Sequence, residues 1–151
     1  MRENLYRGKE TGTKRWYYGG FFLHKKTTFC FKEDYDAHPD NDVPCIVFDS
    51  MTDWGLPNQI NIATVIPETV GQFTGFFDKN GQKIFEGDIL EWVWTINGIP
   101  GRVVLKVMWD DGAWAIGHDH PEDQLRDRLS EGCAVIGNIH DNPELLEACH
   151  E

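Results

Sequence analysis

The first part of the chain shows short apolar runs separated by polar stretches, a pattern typical of short β-strands joined by loops. Residues 15–32 predict a hairpin. Its first strand, Arg15–Leu23, is rich in aromatic side chains and is interrupted by Gly19-Gly20, and its second, Thr27–Lys32, alternates Thr, Phe and Cys. Aromatic and β-branched residues favour such half-buried pleated surfaces. Two prolines and four aspartates then indicate a loop over Glu33–Pro44.

Three more strands follow before residue 78. Short apolar or β-branched runs predict them at Cys45–Phe48, Ile60–Ile66 and Val70–Phe76. Gly and Pro make Asp49–Asn58 rich in turns, and Pro67 separates the last two strands.

The second half contains the strongest turn signals. Asn80-Gly81 tolerates the positive φ that a tight hairpin turn needs, as does Asp111-Gly112, so both predict hairpins. Around these turns and a further turn at Asn97–Gly101, the pattern predicts strands at Lys83–Phe85, Ile89–Ile96, Arg102–Trp109, Ala113–Gly117 and Cys133–Ile139.

Two short helices are predicted near the C-terminus. Pro121–Glu131 has proline in first position, acidic residues in the first turn, and Gly132 as a stop signal. In the second, Asn142 is placed to cap a helix over Pro143–Ala148. The chain is therefore expected to be mainly β with about two short helices.

Strands of this length predict a small barrel or paired sheets. The five strands between Ile84 and Ile139 fit an SH3-like barrel, so we expect a β-rich N-terminal portion over residues 1–78. The barrel and a C-terminal helix would then occupy residues 79–151. The alternative is that both portions form one continuous domain.

The net charge of the chain argues against some classes of function. The 151 residues include 14 Lys and Arg against 25 Asp and Glu, for a net charge of -11. A uniformly negative protein is repelled by phosphate backbones and anionic membranes, which argues against a general nucleic-acid or lipid binder.

That charge is unevenly distributed, with +6 over residues 1–32, -9 over residues 33–78 and -8 over residues 79–151. The simpler interpretation is a solvated surface on which the signs segregate by chance. The alternative is that the basic segment meets an acidic one, within the chain or on a neighbouring subunit.

The N-terminus, Met-Arg-Glu-Asn-Leu-Tyr-Arg-Gly, lacks the apolar core of a signal peptide, and no apolar run reaches the roughly 18 residues that span a bilayer. We therefore expect a cytoplasmic protein with no membrane partner. Cysteines 30, 45, 133 and 149 form no CxxC pair, so reduced and mostly buried thiols are expected.

Two clusters suggest metal ligands. His118 and His120 lie among three carboxylates, and an extended segment would place both rings on one side. The helix predicted to begin at Pro121 favours a capping loop there instead. The acids Asp34, Asp36, Asp40 and Asp42 approach a calcium loop in number only. That loop needs Gly at its sixth position and Glu at its twelfth, where the chain has Pro39 and Cys45.

No catalytic or cofactor-binding residue is predicted. The chain has no local Ser-His-Asp or Cys-His arrangement, no phosphate-binding loop and no dinucleotide motif. Glu86 and Asp88 flank a glycine and indicate a bend between strands, not an acid–base pair.

Tryptophans supply the candidate interaction surface. Trp92 and Trp94 lie two apart and share a face on a strand, and Trp109 and Trp114 can pair across the intervening turn. Core packing or a protomer interface explains them most simply. The alternative is an aromatic groove that binds peptides.

Three stretches resemble the YopX-like phage proteins: Tyr6–Lys9 with Trp16–Gly19, Glu68–Ile89, and Val135–Leu146. They occur in the expected order and span nearly the whole chain. The resemblance implies a phage or prophage origin and a mainly β fold with an SH3-like barrel in its C-terminal part. It implies no activity and no catalytic residues. Phe31–Ala63 and His118–Gly132 lie outside the resemblance.

Four functions remain open. The first is a non-enzymatic phage accessory protein in the host cytoplasm that binds a host or phage protein and forms a homo-oligomer. The second is an acidic decoy, based on residues 33–78, that blocks a host nucleic-acid-binding protein. The third is a small metal-binding enzyme around His118 and His120. The fourth is nucleic-acid contact by residues 2–32, including Lys25 and Lys26.

Overall fold

The computed structural model describes residues 2–148. The strands are β1 (Tyr6–Lys9), β2 (Trp16–Lys25), β3 (Asp42–Ser50), β4 (Gln59–Thr64), β5 (Gly71–Phe77), β6 (Lys83–Phe85), β7 (Asp88–Ile96), β8 (Ile99–Asp110), β9 (Ala113–Gly117), β10 (Pro121–Gln124) and β11 (Ala134–Asn138). The helices are α1 (Lys32–Ala37), α2 (Leu125–Arg128) and α3 (Glu144–Glu147), with 3-10 turns at Pro39–Asn41, Pro67–Thr69 and Leu129–Glu131. None of the described helices is long and apolar enough to cross a membrane.

The mainly β prediction is confirmed, but the barrel is not. The strands form two antiparallel sheets, in the orders β4-β3-β2-β1-β5-β6 and β10-β9-β8-β7-β11. In the second sheet β10 and β11 are the two edges, so within residues 2–148 it stays open. The SH3-like barrel is therefore not confirmed.

The chain divides into two compact units. Residues 3–72 form one, and the described residues from Phe73 onward, with Arg2, form the other. Strand β5 contains the boundary. The sequence-based division after residue 78 stays a prediction.

Strand β2 overturns the predicted hairpin over residues 15–32. It runs without a break through Gly19-Gly20 and changes partner there, pairing with β1 up to Gly19 and with β3 from Gly20 onward. The Thr27 backbone instead exchanges two hydrogen bonds with the Asn41 side chain, at 2.8 and 2.9 Å. Local alternation cannot encode these distant partners, and this is why the hairpin prediction is wrong.

The predicted loop over Glu33–Pro44 also contains more structure than expected. All of α1 except Lys32 lies within it, and the first turn of α1 holds Glu33 and Asp34. Acidic side chains are stabilising there because the helix dipole is positive at that end.

The predicted helix over Pro121–Glu131 is only half correct. Its first four residues form the edge strand β10, with Pro121 opposite Gly117 and Gln124 opposite Ala115 of β9, and helix begins at Leu125. Pairing with β9 thus overrides the helix-start signal of Pro121.

The second predicted helix is present as α3, but Asn142 does not cap it. No side chain of the described residues caps its N-terminus, and the Asn142 side-chain oxygen accepts a hydrogen bond from the Asn138 N–H at 3.4 Å instead.

Each unit has its own core. In residues 3–72, Ile46, Ala63 and Val65 pack with the rings of Tyr17 and Phe48, which are tilted by 33° with centroids 4.8 Å apart. In the second unit each face of the second sheet carries a buried cluster. One buried cluster contains Ile84, Leu90, Trp92, Leu105, Val107, Ile116, Leu125 and Cys133, and the other contains Ile89, Val104 and Leu146.

Candidate interaction surface

All four candidate tryptophans lie on one face of the second sheet. Trp92 is opposite Val103, Trp94 is opposite Gly101, and Trp109 is opposite Trp114, which fixes them to the same side of the pleat. The rings of Trp109 and Trp114 meet edge to face with centroids 4.7 Å apart, as the spacing across the turn predicts.

The four tryptophans differ in how far they are buried, and Trp114 is half-buried. Trp92 is 2% exposed, whereas Trp94 is 44% exposed and Trp109 is 56% exposed. The Trp92 indole donates a hydrogen bond to the Arg128 carbonyl oxygen at 3.0 Å, and the Arg128 guanidinium lies 5.3 Å from the ring centroid. Trp92 is therefore a core residue, and Trp94 and Trp109 mark the two exposed ends of the same apolar stripe.

Trp94 belongs to an arm that extends beyond the rest of the sheet, which we define as residues 93–102. Strand β11 pairs with β7 only as far as Glu91, and β9 pairs with β8 only from Lys106. Beyond those points β7 and β8 have only each other as ladder partners among the described residues.

The apolar face that is buried in the core continues along this arm, but there it is exposed to solvent. Leu90 and Trp92 are buried, while Trp94, Ile96 and Ile99 on the same face are exposed. The Trp94 indole lies across Gly101, where a Cβ atom would collide with the ring. Trp94 is thus held in place by its own hairpin and still presents a face to solvent.

A second set of exposed apolar side chains lies in residues 3–72. The β3–β4 loop presents Trp54, which is 91% exposed. Tyr18, Phe22, Ile60 and Ile62 are also exposed in this unit. Composition alone did not single out Trp54, since nothing in its local pattern distinguishes it from a core tryptophan.

The histidine cluster does not form a metal centre among residues 2–148, where no group of three His, Cys, Asp or Glu side chains could hold an ion. Both ring nitrogens of His118 already have partners. Nε2 lies 3.1 Å from the Leu146 carbonyl oxygen, and Nδ1 lies 3.0 Å from an Asp119 carboxylate oxygen. His120 lies in the bend that precedes β10.

The acidic segment over residues 33–78 does not present all its carboxylates to solvent. Glu33, Asp34, Asp36 and Asp40 are exposed around α1, but Asp42 forms an ion pair with Lys25 and Asp78 is buried. The decoy hypothesis stays a prediction that depends on the exposed carboxylates, which also include those of Asp49, Asp53 and Glu68.

Several charges of the basic segment are engaged within the chain. Arg7 is buried with its guanidinium 4.9 Å from the Trp16 ring centroid, and the Lys9 ammonium lies 5.9 Å from the same centroid. The Lys25–Asp42 pair joins the basic segment to the acidic one inside a single chain. Nucleic-acid contact through residues 2–32 stays a prediction.

Two buried aspartates, Asp78 and Asp88, lie in the stretch Glu68–Ile89 and fix its backbone through hydrogen bonds. Asp78 accepts hydrogen bonds from the N–H groups of Asn80, Gln82 and Val135 at 2.9, 2.8 and 3.0 Å. Asp88 accepts one from the Phe85 N–H at 2.7 Å. Both residues hold backbone in place. An aspartate side chain in a turn can accept a hydrogen bond from the backbone two residues on, here Asn80 of the Asn-Gly turn, so the sequence contained the clue to Asp78.

The cysteines differ in accessibility. Cys45 and Cys133 are buried as expected, but Cys30 is exposed, and Cys149 lies outside the described residues. Burial raises the pKa of the Cys133 thiol, and the negative charge of Asp78 raises it further. Thiolate is the reactive form, so Cys133 is protected both sterically and chemically.

We therefore expect iodoacetamide at pH 8 to modify Cys30 much faster than Cys133 in the native protein. Peptide mass spectrometry over a time course measures both sites, and unfolding in urea serves as the control that equalises them. Equal native rates would contradict the buried, high-pKa assignment of Cys133.

Comparison with known proteins agrees with this fold. The chain is similar in structure to protein EF1440 from Enterococcus faecalis, whose crystal structure it matches with a TM-score of 0.55 and 24% sequence identity. The match covers 97% of this chain and 99% of that chain. No curated protein matches.

Comparison with protein families supports the resemblance found in the sequence. Residues 5–147 match the family described as YopX protein, which includes all three stretches on which the resemblance rests. The chain belongs to the YopX protein family.

Proposed function

We propose that this chain is a phage- or prophage-encoded accessory protein that acts in the host cytoplasm by binding and self-association, without catalysis. The observation that carries the proposal is the arm, where the apolar face of the core continues into solvent at Trp94, Ile96 and Ile99. Exposed apolar surface that extends a core stripe is typical of protein–protein contact sites.

Composition of the arm supports a binding role. Aromatic residues are enriched and charged residues depleted at the centres of protein interfaces. The arm includes one tryptophan and two isoleucines, and Arg102 at its end is its one charged residue, although the whole chain is 26% charged. Besides a second copy of the chain, the proposed partner is a host or phage protein.

We expect the purified protein to be larger than its monomer mass of 17.4 kDa in gel filtration with light scattering. An apolar contact persists or strengthens when salt rises, because salt screens the repulsion between chains of net charge -11. A contact between basic and acidic segments weakens instead. Measurements at low and high salt therefore distinguish the two, and a monomer under both conditions would contradict self-association.

A further inference from the structure

Among residues 2–148, no strand pairs with the outer edge of β7 in the arm. Strand β11 ends its pairing with β7 at Glu91, which leaves the five residues from Trp92 to Ile96 without a ladder partner on that side in the described chain. Exposed strand edges readily pair with another chain. Proteins commonly block such edges with Lys, Pro or a bulge, and none of these occurs between Trp92 and Ile96.

The hairpin turn determines which backbone groups point outward. Asn97 and Gly98 both have positive φ, 53° and 79°, as a two-residue type I′ turn requires. Ile96 and Ile99 close that turn as a hydrogen-bonded pair, so hydrogen-bonded and non-hydrogen-bonded pairs alternate from there. Val93 and Thr95 fall in the second kind, and their N–H and C=O groups face away from β8.

The two edges of the arm differ in the backbone N–H groups that they present outward. On β8 the residue opposite Thr95 is Pro100, which has no N–H to offer outward. The β8 edge is thus blunted, and the β7 edge keeps its donors. Any added strand is expected on the β7 side.

We propose that two copies of this chain join by antiparallel pairing of their β7 edges, which extends both sheets into one. The proposal rests on the self-association proposed above and identifies its interface. In the register that uses all five free residues, Val93 of each copy pairs with Thr95 of the other. Trp94 then lies opposite Trp94 of the second copy, on the two-fold axis.

A second copy fits this edge better than an unrelated chain does. The pairing is self-complementary, as a two-fold interface requires. It also pairs the five uncharged residues Trp92–Ile96 of one copy with the same five of the other, so two chains of net charge -11 meet along a segment that carries no charge. The tryptophans would form a non-hydrogen-bonded cross-strand pair, in which side chains approach most closely.

Cysteine cross-linking tests the register. In a Cys30→Ser, Cys149→Ser background, Trp94→Cys is expected to form a disulfide-linked dimer under mild oxidation, because a non-hydrogen-bonded pair brings the two Cβ atoms within disulfide range. Val93→Cys is the matched control and is expected to remain largely monomeric on a non-reducing gel, since its side chain faces Thr95 of the second copy. Equal cross-linking of both variants would overturn the register.

A proline substitution tests the pairing itself. Thr95→Pro removes an outward N–H and leaves the β7–β8 ladder intact, so light scattering should show a monomer with an unchanged circular dichroism spectrum. Thr95→Val keeps the N–H and should keep the wild-type mass. If the wild type is an oligomer, Thr95→Pro does not change its mass and Trp94→Cys does not cross-link it, the arm interface is wrong but self-association still holds. A wild-type monomer overturns self-association as well.

Discussion

Replacing Trp92 with alanine is expected to lower the free energy of unfolding by about 4 kcal/mol, the range for removal of a large aromatic from a core. The side chain is 2% exposed and packs in the cluster around Leu90 and Ile116. Its loss also leaves the Arg128 carbonyl without the indole donor. Urea unfolding followed by circular dichroism measures the change.

Trp94 provides the matched control, because it has the same side chain on the same face of the same strand. We expect Trp94→Ala to cost clearly less, about 2 kcal/mol, since 44% of the residue is already in water and its ring lies outside the buried core cluster. Both variants are compared at low protein concentration, where self-association does not contribute. A cost for Trp94→Ala equal to that for Trp92→Ala would contradict the boundary between core and arm.

Replacing Asp78 with alanine is expected to cost about 3 kcal/mol, because three backbone N–H groups lose their acceptor at once. Two of these groups belong to the β5–β6 turn and the third to β11, so one carboxylate holds both segments. Thermal and urea unfolding measure the loss.

Asp78→Asn separates the two sets of bonds. The amide retains one oxygen, which can keep the bonds to Asn80 and Gln82, but its NH₂ group would face the Val135 N–H. A loss of about 1–2 kcal/mol is therefore expected, between wild type and Asp78→Ala. If alanine and asparagine both leave stability unchanged, Asp78 does not join the turn to β11.

Much of the fold could be predicted where the determining interactions are local. The Asp111-Gly112 turn is present, and the turn predicted over Asn97–Gly101 is present but shorter, at Asn97-Gly98, since β8 already begins at Ile99; all four turn residues have positive φ. Most strands after residue 42 also lie close to their predicted positions. Predictions failed where a distant partner decides the outcome, as for β2, which pairs with β1 and β3, and for β10, which pairs with β9 against a helix-start signal.

The candidate surface shows the same division. Spacing alone placed Trp92 beside Trp94 and paired Trp109 with Trp114, because side-chain direction along a strand alternates regardless of context. Spacing could not show that Trp92 is covered and Trp94 is not. That depends on α2, which brings Arg128 over Trp92, and on β11, which pairs with β7 only up to Glu91.

The sequence by itself therefore determined the mainly β class, the tight turns and the single face that carries all four tryptophans, since these follow from local backbone preferences and the two-residue period of a strand. The tertiary structure decided that the second sheet stays open, that β2 divides its pairing between two strands, and that the arm projects uncovered beyond its neighbours. Burial and strand pairing depend on residues far apart in the chain, and no local pattern records where a neighbouring strand ends.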